Sequence, residues 1–178
     1  MKKYVALFTT ALLLAGTACA QTGRQDKNAR PSPPASAACK FTDGQSITVD
    51  YSSPRAKGRK IMGGLVPFGA EWRTGANEAT SFVTTANLSI GSLAVPAGKY
   101  TMYTVPGEKT WKLIINKQTG QWGTEYNEKQ DLGRAEMEVS KASAPVENFT
   151  ISFHEMGKGC HMYLDWENTR ATVEINEK

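Results

Sequence analysis

The sequence predicts an all-β domain: a single antiparallel β-sandwich of jelly-roll or immunoglobulin-like type, with a closed barrel as the alternative. Three observations predict it. Apolar residues recur with period two almost everywhere from residue 39 onward. Turn signals punctuate the runs every ten residues or so, and no amphipathic helical run of ordinary length occurs. Period-two alternation marks half-buried strands, and eight to ten short strands with frequent turns mark a sandwich or a barrel.

The elements follow in order. Ile47, Val49 and Tyr51 alternate with Thr48 and Asp50. Trp111, Leu113 and Ile115 alternate with Lys112 and Ile114. Ala135, Met137 and Val139 alternate with Glu136 and Glu138, and Phe149, Ile151 and Phe153 with Thr150 and Ser152. Cys160, Met162, Leu164 and Trp166 form the next run, and Ala171, Val173 and Ile175 the last. Weaker strands are expected at 39–42, 79–86, 87–95 and 99–105. Asp43-Gly44, Pro96-Ala97-Gly98, Pro106-Gly107, Thr119-Gly120 and Gly157-Lys158-Gly159 supply turns between them. One register can be argued. In a hairpin of 149–154 with 160–166, inward residues must face inward residues, because a one-residue slip inverts the faces. This pairs Phe153 with Met162, Ile151 with Leu164 and Phe149 with Trp166, and sets His154 opposite His161 on the outer face.

The N-terminus speaks about compartment. Lys2 and Lys3 precede an apolar run from Tyr4 to Gly16, followed by small residues Thr17 to Ala20. Residues 1–20 therefore read as a secretory signal peptide, too short in its apolar part to span a bilayer of ~30 Å. Two routes stay open: cleavage after Ala20, or lipidation of Cys19 as the first residue of a lipoprotein. Residues 21–38 carry Pro31, Pro33 and Pro34 among small polar residues and read as a disordered tether. Residues 39–178 are then the folded domain. The expected location is outside the cytoplasm: periplasmic, outer-membrane-associated or secreted.

The formal charge of +4 belongs to the leader and tether. From Cys39 onward basic and acidic residues number 16 each. Nucleic-acid binding normally needs a basic face, so a neutral exported domain is not expected to bind nucleic acid. No transmembrane span is expected in the mature chain. In an oxidising compartment Cys39 and Cys160 are expected to form a disulfide, with two buried thiols as the alternative. Such a bridge closes a loop of about 120 residues, for which the chain-entropy treatment gives ~4–5 kcal/mol.

Several chemistries are missing from the sequence. There is no G-x-S-x-G elbow, P-loop, dinucleotide fingerprint or HExxH motif. No cofactor is expected, and the enzyme question leans toward no. His154-Glu155 with Cys160-His161 offers a weak metal site, since imidazole, thiolate and carboxylate bind zinc or copper. The plainer reading is a cross-strand pair of surface histidines. Trp72, Tyr103, Trp111, Trp122, Tyr126 and Tyr163 are candidates for sugar contact; Trp111 and Trp166 fall at inward positions and belong to the core. Trp122 sits in a glycine-rich turn and is either exposed or folded back as a plug.

Residues 51–80 form the longest irregular connection, with Arg55, Lys57, Arg59 and Lys60 early and Trp72, Arg73, Asn77 and Glu78 late. Loops of this length are functional or packed by their own side chains. In the scaffold reading Arg73 pairs with Glu78 across the turn and Asn77 makes an Asx turn. In the site reading Trp72, Arg73, Asn77 and Glu78 line a concave pocket, with Arg59 and its neighbours adding positive potential at the rim.

KGRKIMGGLVPFGAEWRTGANEAT, followed by VPAGKYTMYTVPGEKTWKLIINKQTGQWG, closely resembles the bacterial domain-of-unknown-function family 2911. The resemblance runs from about Ile47 to the C-terminus. It implies an exported protein, with a signal or lipoprotein leader, and no particular reaction or catalytic residues. Cys39, Cys160 and both histidines lie outside the two segments that carry it. The leading expectation is a non-catalytic binding or interaction module whose partner is a small molecule, a glycan or an envelope protein. The alternative is a glycan hydrolase with Glu78 as acid or base, paired with Asp165 or Glu125, since glycosidases need two carboxyls about 5–10 Å apart.

Overall fold

The structure is a computed structural model that describes residues 26–178. The expected leader, with Cys19, lies outside the described residues. Nine strands form one antiparallel sheet: β1 (Pro34–Lys40), β2 (Ser46–Ser52), β3 (Thr80–Thr84), β4 (Leu88–Ile90), β5 (Leu93–Val95), β6 (Gly98–Val105), β7 (Thr110–Asn116), β8 (Asp131–Glu155) and β9 (Gly159–Glu177). Two single 3-10 turns, Lys27–Ala29 and Glu128–Gln130, are the only helical pieces among the described residues. The order across the sheet is β1-β2-β3-β6-β7-β8-β9-β4-β5, so β1 and β5 are free edges and the sheet is not closed into a barrel.

The sheet becomes two-layered because its longest strands bend. The early part of β8 pairs with β7, from Trp111 against Met137 to Asn116 against Asp131. Its later part pairs with β9, and the register shifts between Lys141 and Val146 and again between Val146 and Thr150. Bulges of this kind kink a strand and increase its twist. Glu167 in β9 has φ 53°, a left-handed conformation unusual inside a strand. The bent hairpin faces the other edge of the sheet: Phe149 N donates to Pro54 O at 2.8 Å and Ile151 N to the Tyr51 hydroxyl at 3.0 Å. The Cys39–Cys160 disulfide ties β1 to β9, with Cα atoms 6.5 Å apart.

The inward alternation fills the space between the layers. Ile47, Val49, Phe82, Met102, Leu113 and Ile151 are all buried, as are Trp111 and Trp166 at 1 % exposure each. The expected hairpin register holds from Phe153↔Met162 and Ile151↔Leu164 to His154↔His161. It does not extend to a ladder pair of Phe149 with Trp166, because the bulge before Thr150 ends the ladder there; the rings still meet, 5.7 Å apart.

Two boundaries differ from the sequence reading. The runs expected as separate strands at 135–139 and 149–153 belong to β8, and those at 160–166 and 171–175 to β9. The stretch expected to be a tether up to residue 38 contributes β1 from Pro34 onward, paired residue by residue with β2. Ala35, Ala37 and Cys39 lie toward the core and Ser36 and Ala38 away from it. Backbone pairing holds this strand without large side chains.

Candidate functional site

The connection between β2 and β3, residues 53–79, is pinned from its middle. Trp72 exchanges backbone hydrogen bonds with Thr104 of β6, at 2.7 and 2.9 Å. Its ring stacks on Trp166 at 5.7 Å and 18°, and meets Phe149 and Trp111 edge-on at 4.9 and 6.2 Å. Its indole N–H donates to Gly75 O at 3.2 Å. Trp72 is therefore a plug under the sandwich and is unavailable as a stacking platform for sugar.

The turn after it is tightly determined. Thr74 has φ 53°, Gly75 φ 155° and Asn77 φ 59°. A β-branched residue in the left-handed region is strained and persists only where its surroundings fix it. Here Thr74 is fully buried, its hydroxyl lies 3.1 Å from Thr104 Oγ1, and its carbonyl accepts from the Thr80 hydroxyl at 2.8 Å. Ala76 N donates to Ser52 O at 3.1 Å, closing the turn on β2.

Arg73 and Glu78 do not pair. Arg73 lies against Gly123, where an added Cβ would run into the Arg73 side chain and come within 2.7 Å of Asn77 O. Arg73 Nε is buried with no acceptor among the described residues. Glu78 instead faces the N-terminal segment 26–33. Arg30 Nη1 lies 3.1 and 2.9 Å from its two oxygens, and Lys27 Nζ lies 3.0 Å away. Burial alone would raise the Glu78 pKa. Its own backbone amide, Lys27 and Arg30 outweigh that and bring it down to about 2. Asn77 makes no Asx turn; its side-chain amide donates to Ser32 O at 3.2 Å, and its carbonyl accepts from Gly123 N at 3.0 Å. The N-terminal segment is thus a strap across the late half of the loop. The sequence reading missed it because Lys27 and Arg30 stand among prolines and small residues with no periodic signal.

Two clefts flank the strap. One, of about 200 Å³, is lined by Lys27, Arg30, Asp50, Tyr51, Ser52, Glu78 and Ser81 among others. The carboxylate that shares it with Glu78 is Asp50, and neither Asp165 nor Glu125 lines it. Asp165 is held elsewhere by Arg170, with two contacts of 2.7 Å, and Glu125 is exposed. The other cleft, of about 330 Å³, is lined by Pro31, Ser32, Arg55, Lys57 and Arg59.

The remaining candidates scatter. Trp122 is 46 % exposed, but Tyr103 and Trp111 are buried, so no row of open aromatic rings forms with it. Burial pushes the Tyr103 hydroxyl up, and it accepts from Gln121 Nε2 at 3.2 Å. His154 and His161 stand opposite each other, and His161 Nδ1 is 3.4 Å from the Tyr163 hydroxyl. Cys160 is in the disulfide and is no ligand. Among the described residues no group of three or more His, Cys, Asp or Glu is placed to hold a metal ion. No described helix is long and apolar enough to cross a membrane.

Residues 32–175 match the model of a family described as a protein of unknown function, DUF2911. The match begins before β1, so it takes in Cys39, Cys160 and both histidines as well as the two segments in which the resemblance was read. No curated protein and no solved structure matches the chain.

Proposed function

The chain belongs to the DUF2911 family, and we propose that it is a non-catalytic binding module of the bacterial cell envelope. The observation that carries this reading is the state of Glu78. Its carboxylate is bound by Arg30 and Lys27 and its pKa is brought down to about 2, so at neutral pH it has no proton to donate. A general acid needs a pKa near the working pH. Of the two carboxylates considered as its partner, Asp165 is locked to Arg170, and neither Asp165 nor Glu125 lines the Glu78 cleft. What the loop region offers outward is a cleft bordered by cations. The signal-like leader and the Cys39–Cys160 disulfide support a location outside the cytoplasm, in the periplasm, at the outer membrane through a lipid on Cys19, or secreted.

The test is co-sedimentation of the mature chain with purified cell-wall glycan and with outer-membrane vesicles, run beside an assay for newly released reducing sugar ends. Retention without sugar release is the expected result. Sugar release that disappears in Glu78→Gln would establish the hydrolase instead. No retention on either preparation would remove a glycan or membrane-component ligand.

A further inference from the structure

We propose that the cleft between the strap and the basic loop binds a phosphate or sulfate ester, held by Arg55, Lys57 and Arg59. This deepens the binding reading above and rests on it.

Charge favours an anion in this cleft. Arg55, Lys57 and Arg59 line one cleft. No carboxylate forms a salt bridge with any of them among the described residues, whereas Arg30, Arg134 and Arg170 each have an acidic partner. Like charges held together in a cleft repel, and they raise the local concentration of anions. The carboxylates facing the early loop are Glu147 of β8 and Glu167 of β9, which share a neighbouring groove with Arg59 and Lys60. Both are used on the backbone: Glu147 Oε1 accepts from Lys57 N at 2.8 Å and Glu167 Oε2 from Ile61 N at 3.1 Å.

The two guanidinium groups are preorganised. Arg55 Nη1 donates to Ser53 O at 2.6 Å and lies 3.2 Å from Ser53 Oγ. Arg59 donates from Nε to Ala56 O at 3.0 Å and from Nη2 to Arg55 O at 2.6 Å. Neutral carbonyls therefore hold both guanidinium groups without cancelling their charge. The backbone beneath is fixed as well: Ala56 N donates to Glu147 O at 2.8 Å and Arg59 N to Ala56 O at 3.0 Å. A side chain fixed before binding loses less entropy on binding.

The number of free donors suits a tetrahedral oxyanion. Arg55 Nε and Nη2, Arg59 Nη1 and the Lys57 ammonium have no protein acceptor among the described hydrogen bonds. A carboxylate fills a single guanidinium fork. A tetrahedral oxyanion presents enough oxygens to engage several donors at once. Pro31 and Ser32 flank the cations in an open cleft of about 330 Å³, which has room for an ester group with its sugar or alcohol.

The experiment is a titration of the ¹⁵N-labelled mature chain with inorganic phosphate, sulfate and a hexose 6-phosphate, against sodium chloride at matched ionic strength. A parallel arm uses phosphatidylglycerol vesicles. Saturable shifts at Ser32 and residues 55–59 are expected. Lys57→Asn should weaken binding about tenfold, the effect of one charge-assisted hydrogen bond. Lys57 has φ 50°, which asparagine tolerates, and its side chain makes no hydrogen bond among the described residues, so this variant keeps the fold. Arg59→Gln should act in the same direction. Tighter binding of the hexose phosphate than of phosphate assigns the ligand to a sugar ester, and equal binding assigns it to the free anion. Shifts reproduced by chloride, affinity unchanged in both variants, or vesicle binding with no phosphate or sulfate effect would each overturn the proposal. Retention on cell-wall glycan that survives Lys57→Asn would also overturn it while leaving the binding module standing.

Discussion

The two halves of the loop between β2 and β3 use the same kinds of residue to opposite ends. In the late half the aromatic ring is packed and the acidic charge is paired: Trp72 stacks on Trp166, and Glu78 is neutralised by Arg30 and Lys27. In the early half, the charges of Arg55, Lys57 and Arg59 stay open while their side chains or backbone are anchored to neutral groups and one backbone-bound carboxylate. The same strap borders both, with Arg30 on one cleft and Pro31 and Ser32 on the other. The difference teaches that a conspicuous residue in a long loop is no guide to its role until its partners are known. A paired charge fixes the chain, and an unpaired one held in place is available to a ligand.

The comparison breaks most directly at Trp72. Trp72→Ala removes a ring packed among Trp166, Phe149 and Trp111 and should cost about 3–5 kcal/mol, by the usual cost of emptying a core aromatic site. Urea unfolding measures it. Phosphate affinity at 25 °C, under conditions where the variant is still folded, should stay within about twofold of the parent, since the basic half is anchored separately. A variant of parental stability that has lost ligand binding would reverse the roles assigned to the two halves.

A middle-sized effect is expected at Gly123. A methyl group there meets Arg73 and comes within 2.7 Å of Asn77 O, which is backbone and cannot swing aside. Gly123→Ala should cost about 1–3 kcal/mol, as for overpacking in general, read as a lower melting temperature. A neutral result would mean that the late half has slack, and that its strained Thr74 and Asn77 conformations are not imposed by its neighbours.

Legibility divides along a related line. The hairpin register from Ile151↔Leu164 to His154↔His161 was readable, because alternation with a buried face leaves one solution. The inward positions of Trp111 and Trp166 followed from the same rule. The union of two expected strands into β8 was not readable, since the shifts near Lys141 and Val146 reset the alternation and look like a break. Strand β1 was hidden because backbone ladders carry no compositional signal, and Pro34-Ala35-Ser36-Ala37-Ala38 has none of the bulk by which strands are recognised. At the candidate site, Glu78 was found but its partners were not. Lys27 and Arg30 lie about 50 residues earlier, in a stretch whose composition resembles a linker.

The smallest effect is the most specific, because it asks whether the strap is held by charge. Glu78 has a folded pKa of about 2, below its ordinary value of 4.5. A depressed carboxylate contributes stability that is present in full above its unfolded pKa and is lost as pH falls toward the folded one. The advantage of the parent over Glu78→Gln should therefore be constant at pH 6 and above, and shrink between about pH 4.5 and pH 2. The Glu78 side chain is 37 % exposed and Lys27 is 59 % exposed, so screening by water holds the full advantage to about 1 kcal/mol. Denaturant midpoints across that pH range measure it, and amide exchange at Ala29, Arg30 and Ser32 locates it, since Glu78 holds this segment through Lys27 and Arg30. An advantage independent of pH would mean that shape and backbone contacts such as Asn77 to Ser32 O hold the strap. The late half of the loop would then be fixed by packing, and charge pairing would no longer distinguish it from the basic half.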